Sequence, residues 1–204
     1  MSRKKHWEQV YTDKTPLEVS WFQNEPSRSL QLITESGIDK NAAIIDVGGG
    51  ASRLVDHLLE QGFSNLAVLD LSASAIQHAQ SRLGDRQSEV EWFVEDITEF
   101  KPSRKFDLWH DRAVFHFLTE ATDREKYRQC LQQGLVSGGH LIIATFAIGG
   151  PDKCSGLDIV QYDADKISRE LGADFQLQDV HFELHITPAE KEQKFNYFHF
   201  KKVR

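Results

Sequence analysis

Cysteine, methionine and proline are scarce, at two, one and five among 204 residues. Cys130 and Cys154 are too few and too far apart for a disulfide framework or a zinc cluster, so both are read as free thiols of a reducing compartment. No Pro-, Ser- or Gly-rich linker divides the chain, and its length suits one α/β domain better than two. No apolar run is long enough to span a membrane, and the opening "MSRKKHWEQV" lacks the apolar stretch of a signal peptide. A cytoplasmic protein without a membrane partner is expected. Positive charge is also short: 24 Lys and Arg against 31 Asp and Glu leave a net charge of −7, which argues against a nucleic-acid surface. The basic pieces "SRKK" and "KKVR" read as solvated termini. The 40% of residues that are hydrophobic suffice for a packed core.

What is present is alternation. Apolar runs at 43–47 (AIIDV), 65–70 (NLAVLD), 90–94 (VEWFV), 106–110 (FDLWH) and 139–146 (GHLIIATF) are separated by helical patterns near 53–61, 73–83 and 123–134. That is the signature of βαβ units on a parallel sheet. "TDRE" offers a capping box, Thr122 with Glu125, for the last of these helices. The first 40 residues carry helix-like segments and no strand, with Pro26 opening one helix and Gly37 closing it. At the other end, "FQLQDVHFELHIT" and "QKFNYFHFKKV" alternate apolar and polar residues around "PAEKE" and predict an antiparallel hairpin.

The first strand runs from Asp46-Val47 into Gly48-Gly49-Gly50-Ala51-Ser52, putting bare backbone N–H groups at a helix start beyond the carboxyl end of a strand. The second strand ends at Asp70, 20 residues beyond Gly50, where a carboxylate can accept from both hydroxyls of a ribose. The purely structural alternative makes the glycines a tight turn and Asp70 a helix cap, but Ser72 already supplies a cap. No lysine follows the glycines, which excludes a P-loop, and Arg53 occupies the third glycine position of a dinucleotide fingerprint, which disfavours NAD. Asp46, just before the turn, would repel a pyrophosphate and suit a cation.

At this point the residues resemble the class I S-adenosylmethionine-dependent methyltransferases. "DVGGGAS" matches their D-x-G-x-G-x-G motif from Asp46 through Gly50, with Ser52 in place of the last glycine. Asp70 and Leu71 in "VLDLS", Asp96 and Ile97 in "VEDITEF", and "LVSGGHLIIATF" match further motifs, and the likeness extends over about residues 40–204. The resemblance implies a Rossmann-like three-layer α/β sandwich with a seven-stranded, mostly parallel sheet whose last strand is antiparallel. Residues 1–40 would form a helical lid and residues 41–204 the core. S-adenosylmethionine would be held by Asp46, Gly48, Gly49, Gly50, Ser52, Asp70 and Leu71, with Asp96 at the adenine amino group and Ile97 beside the ring. The front segment "HWEQVYTDKTPLEVSWFQ" is similar to the lid of small-molecule members and to the opening of a lysine-methylating subgroup; Trp7, Tyr11, Trp21 and Phe22 would close over the cofactor.

Methyl transfer from a sulfonium is an in-line displacement that needs alignment and, for some acceptors, a base. The edge after strand four, "WHDRAVFHFL", holds His110, Asp111, Arg112 and His116. The functional reading takes His116 as base, Arg112 as a fork for an anionic acceptor, and Asp111 as a further catalytic or cofactor contact. The structural reading pairs Asp111 with Arg112 and packs His116 between Phe115 and Phe117. Two histidines six apart do not make a metal site, and none is expected. The long loop "AIGGPDKCSGLDIVQYD" is read as the acceptor wall, with Cys154 a bystander. The expected function is methyl transfer to a small molecule, possibly a carboxylate, by a monomer or homodimer. A protein-lysine methyltransferase and a non-catalytic S-adenosylmethionine-binding module are the alternatives.

Overall fold

Ile44–Val47 (β1) is buried along its whole length, and its continuous apolar run places it at the centre of a sheet covered on both faces. The computed structural model describes residues 2–204. β1 pairs in parallel with Leu66–Asp70 (β2) on one side and Phe106–Arg112 (β4) on the other, so that Asp46 lies beside His110. Val90–Val94 (β3) extends the sheet beyond β2, and Leu135–Phe146 (β5) extends it beyond β4. Glu192–Lys202 (β9) then enters antiparallel to β5, and Phe175–Ile186 (β8) closes the far edge in the order β3-β2-β1-β4-β5-β9-β8. β9 is the one strand reversed against the rest, which is the expected seven-stranded arrangement.

Helices Leu54–Glu60 (α3), Ala73–Leu83 (α4) and Ala121–Gly134 (α5) fall where periodicity put them. Ser72 caps α4 by accepting from Ala75 N at 3.1 Å. The expected capping box at Thr122 and Glu125 does not form: α5 starts two residues earlier, Glu120 stands at its N-cap, and Glu125 binds Arg128 and Gln129 instead. β5 also begins earlier than its apolar run, because Leu135 already pairs with Phe106.

A helix not anticipated from the sequence, Ala164–Leu171 (α6), is capped by Asp163, which accepts from Lys166 N at 2.8 Å. Its apolar face is short: Ala164, Ile167 and Leu171, spaced i, i+3 and i+7, pack on the core. Between β5 and α6, Lys153–Cys154 (β6) and Leu157–Asp158 (β7) make a small hairpin.

The first 40 residues split physically. Ser27–Glu35 (α2) buries Leu30, Leu32 and Ile33 in the core on the face shared with α3. Arg3–Asp13 (α1) buries only Tyr11 and lies across the carboxyl ends of the strands. Among the described residues no helix is long and apolar enough to cross a membrane.

Candidate active site

The turn after β1 is pressed against the end of β2. Gly48, at φ +72, sends its N–H to Leu69 O at 2.7 Å. A side chain at Gly50 would meet Asp70 Oδ2 and Ala75 Cβ, both at 2.6 Å. A side chain at Gly49 would be driven into Asp46 Oδ2, so glycine is required at all three positions, once for conformation and twice for close approach. Asp70 Oδ2 accepts from Gly50 N at 3.0 Å and Oδ1 from Ser72 N at 2.8 Å. Burial pushes its carboxyl up to about 6, against the pull of those backbone donors.

Two neighbouring hollows open above this turn. The first is an apolar slot walled by Leu71 and Ile97 on one side and Val114, Phe117 and Leu118 on the other, with Asp70 and Asp96 at its edges. Asp96 Oδ1 accepts from Thr98 N and Oγ1 at 2.9 and 2.8 Å. The second hollow reaches Asp46, Gly49, Ser52 and His110. Gly48, Tyr11, Trp21 and Arg112 border both, so an elongated ligand would pass among these four.

Two buried polar atoms of opposite charge make no hydrogen bond here, Asp46 Oδ2 and Arg112 Nη2, although Nη2 also lies 3.9 Å from Glu183 Oε2. The rest of each group is fixed. His110 bridges Asp46 Oδ1 at 2.7 Å and Ser29 Oγ at 2.9 Å, tying β1, β4 and α2 together. Arg112 donates from Nε to Tyr197 OH and from Nη1 to Trp21 O, each at 2.8 Å, and lies 4.6 Å over the Phe195 ring. A buried ion with an empty bonding position is costly unless something fills it. A zwitterionic amino-acid tail has the two charges required.

The profile of the family described as "Methyltransferase domain" matches residues 45–141, which span β1 to the middle of β5. Residues 45–141 are thus similar to a methyltransferase domain. The chain is similar to EEF1A lysine methyltransferase 2 of Danio rerio, 28% identical over 63% of this chain and 60% of that protein, so it spans less than two thirds of that relative's length. In fold it is similar to a SAM-dependent methyltransferase from Anabaena variabilis, at TM-score 0.77 and 17% identity over 99% of this chain and 96% of that one. It is also similar to the 1,6-didemethyltoxoflavin-N1-methyltransferase of Burkholderia thailandensis, solved with 1,6-didemethyltoxoflavin and S-adenosylhomocysteine bound. That likeness has TM-score 0.69 and 18% identity, over 98% of this chain and 84% of that one.

α1 roofs the apolar slot through Arg3, Trp7 and Tyr11. Glu8 accepts from Ser72 Oγ at 2.8 Å and from the N–H and hydroxyl of Ser74, which places a carboxylate on the N-terminus of α4 and, chiefly through the Ser74 hydroxyl, lowers its pKa. Arg3 reaches Asp123 at 3.0 Å and Asp96 at 3.7 Å. Trp7 stands edge-on to Trp21 and to Phe117, with centroids 5.4 and 5.0 Å apart, and Trp21 Nε1 donates to Tyr11 OH at 3.0 Å. Phe22 lines the second hollow.

Three expectations from the sequence are corrected. Asp111 is buried on the opposite face of β4 from Arg112, does not pair with it and lines neither hollow. It accepts from Val114 N at 3.0 Å, Phe115 N at 3.4 Å and Tyr127 OH at 2.8 Å, and so fastens the loop after β4 to α5. His116 is fully buried, stacked on Phe146 at 4.7 Å, and lines neither hollow. Burial, with a contribution from Arg112, pushes its pKa down to about 3, so the ring is neutral and weakly basic, and its place outside both hollows keeps it from an acceptor there. The loop after β5, read as an acceptor wall, lines neither hollow; Cys154 in it is buried, and its thiol is pushed up to about 11.

Arg3, Glu8, Ser29, Val114 and Phe117 were not legible as site residues. The pairing of Asp46 with His110 had one usable signal, two polar residues inside continuous apolar strands.

His116 makes a pH prediction. An unfolded histidine titrates near 6.5, so the stability gained by keeping His116 neutral is intact above that pH. It is lost as pH falls towards 3, at up to about 1.4 kcal/mol per pH unit. His116→Phe is expected to flatten the acid limb of stability, measured as urea midpoints across that range. An unchanged limb would assign the acid sensitivity elsewhere.

Proposed function

We propose that the chain is an S-adenosylmethionine-dependent methyltransferase acting on a small molecule. The observation that carries the cofactor reading is the pair of neighbouring hollows, with Asp46 Oδ2 and Arg112 Nη2 free of hydrogen bonds beside the residues they share. In this reading Leu71, Ile97, Val114 and Leu118 enclose the adenine, Asp96 accepts from its amino group, and Asp70 accepts from the ribose. Asp46 takes the ammonium and Arg112 the carboxylate of the amino-acid end, while Gly49, Gly50 and Ser52 shape the turn beneath. Arg112 is thus assigned to the cofactor rather than to an anionic acceptor. S-adenosylmethionine, when bound, supplies a methyl group already activated by its sulfonium sulfur. With His116 buried away from the cleft, the chain's contribution is alignment and exclusion of water.

The small-molecule reading is supported by the roof. Trp7, Trp21 and Phe117 interlock above the slot, which favours an acceptor enclosed after entry over a long protein segment held from outside. The lysine-methyltransferase relative is the observation on the other side. Incubating the protein and methyl-labelled cofactor with cell extract separates the readings. Label in small molecules is expected. Label confined to protein would make it a protein methyltransferase, and no transfer alongside intact binding would make it a binding module.

Asp70→Ala is expected to weaken S-adenosylmethionine binding by roughly 10- to 100-fold, the loss of hydrogen bonds to one charged acceptor. Titration calorimetry checks it, and unchanged affinity would remove Asp70 from the ribose site.

A further inference from the structure

Arg112, Ala144 and Tyr197 stand in one row across β4, β5 and β9. Residues paired across a sheet project to the same face. The middle member is an alanine, whose single methyl lets a guanidinium and a phenol meet above it. Arg112 Nε donates to Tyr197 OH at 2.8 Å, and Tyr197 OH donates to Glu183 Oε2 on β8 at 3.0 Å. Chemistry fixes the direction of this relay. A guanidinium only donates and an ionised carboxylate only accepts, so the hydroxyl between them takes one hydrogen bond and gives one. Burial holds the phenol pKa above its ordinary value, which keeps that proton in place at neutral pH. Gln23 Nε2 steadies Glu183 from the other side, donating to its two oxygens at 3.4 and 3.3 Å.

We propose that Tyr197 is a positioning residue for the cofactor: it aims Arg112 Nη2 at the carboxylate of the amino-acid end. The inference rests on the assignment of Arg112 to that carboxylate. A guanidinium is planar, and this one is tied at Nε by Tyr197 and at Nη1 by Trp21 O, so the direction of its third nitrogen is set. Tyr197 is fully buried, and neither it nor Glu183 lines either hollow, so both act through Arg112. Tyr197 has a second effect. Glu183 Oε2 lies 3.9 Å from Nη2, outside hydrogen-bond reach, and the tyrosine keeps that oxygen occupied. Without the hydroxyl, Arg112 Nε loses its acceptor and Glu183 is free to close on Nη2, the atom left for the cofactor.

Paired titrations of the full chain with S-adenosylhomocysteine and with 5′-methylthioadenosine, a thioether nucleoside without the amino-acid end, test it. Tyr197→Phe keeps the ring and removes the oxygen. It is expected to weaken S-adenosylhomocysteine by roughly 3- to 10-fold, the worth of one hydrogen bond, and to leave 5′-methylthioadenosine unchanged. A merely structural Tyr197 would move both affinities together. An unchanged ratio of the two, whether both fall or neither does, would therefore overturn the proposal. Arg112→Met tests the underlying assignment separately. It is expected to weaken S-adenosylhomocysteine by roughly 10- to 100-fold, again with 5′-methylthioadenosine unchanged. If Arg112→Met leaves the ratio as in the wild type, the carboxylate lies elsewhere and the cofactor assignment itself fails. If Arg112→Met is selective and Tyr197→Phe is not, the assignment stands and the positioning role alone falls.

Discussion

Gly48→Val is expected to leave no calorimetrically measurable S-adenosylmethionine binding in a protein that still folds. Gly48 sits at φ +72, a region that a β-branched residue enters at a cost of roughly 1–3 kcal/mol. The added side chain would also be driven into Val114, one wall of the apolar slot. Two penalties thus fall on one of the four residues that the hollows share. Circular dichroism and a thermal melt establish that the variant is folded, and calorimetry then reads the affinity. Wild-type affinity in a folded Gly48→Val protein would mean that the cofactor does not pass this turn.

Asp111→Ala should be among the most destabilising single substitutions, at roughly 3 kcal/mol, because it orphans Val114 N, Phe115 N and Tyr127 OH. Burial holds the Asp111 carboxyl up at about 6, above an unfolded aspartate near 3.9. Ionisation therefore costs stability in the native state: the cost is absent below the unfolded value, grows as pH rises through about 6, and is constant beyond. Removing the acid removes that cost along with its hydrogen bonds, so the net loss should be larger near pH 5 than near pH 8. Urea unfolding at the two pH values measures both quantities. A catalytic Asp111 would behave in the opposite way, with stability kept and turnover lost.

The contrast between Asp111 and its neighbours explains what the sequence could and could not reveal. Asp46, Gly48 and Asp70 were legible because a fixed spacing of a turn and a strand end carries its own geometry. The order of β1 to β4 was legible because parallel, doubly covered strands are uninterrupted apolar runs. That same property hides direction. In "FDLWHDR" both faces are buried, so no polar alternation tells which of His110, Asp111 and Arg112 looks towards the cleft. The strand period answers it only once one of them is placed: His110 and Arg112 share a face and line the second hollow, and Asp111 takes the other.

His116 was misread because it lies in a single 3-10 turn, Phe115–Phe117, where aromatic neighbours are compatible with either a pocket or a core. α6 escaped because its apolar face, Ala164, Ile167 and Leu171, spans only eight residues inside what read as one long loop, and α1 was legible as a helix but not as a roof, since its contacts through Glu8 and Arg3 are made to residues far along the chain.

The interlocked indoles of that roof give the molecule an optical property. Trp7 and Trp21 line the slot directly, whereas Trp109 is sealed in the core and Trp92 is hydrogen-bonded to Gln87 O on the far side of β2. Two of the four tryptophans therefore emit from the cleft and two from places that a guest does not touch. Intrinsic fluorescence thus carries an occupancy signal and its own internal reference, with no dye attached.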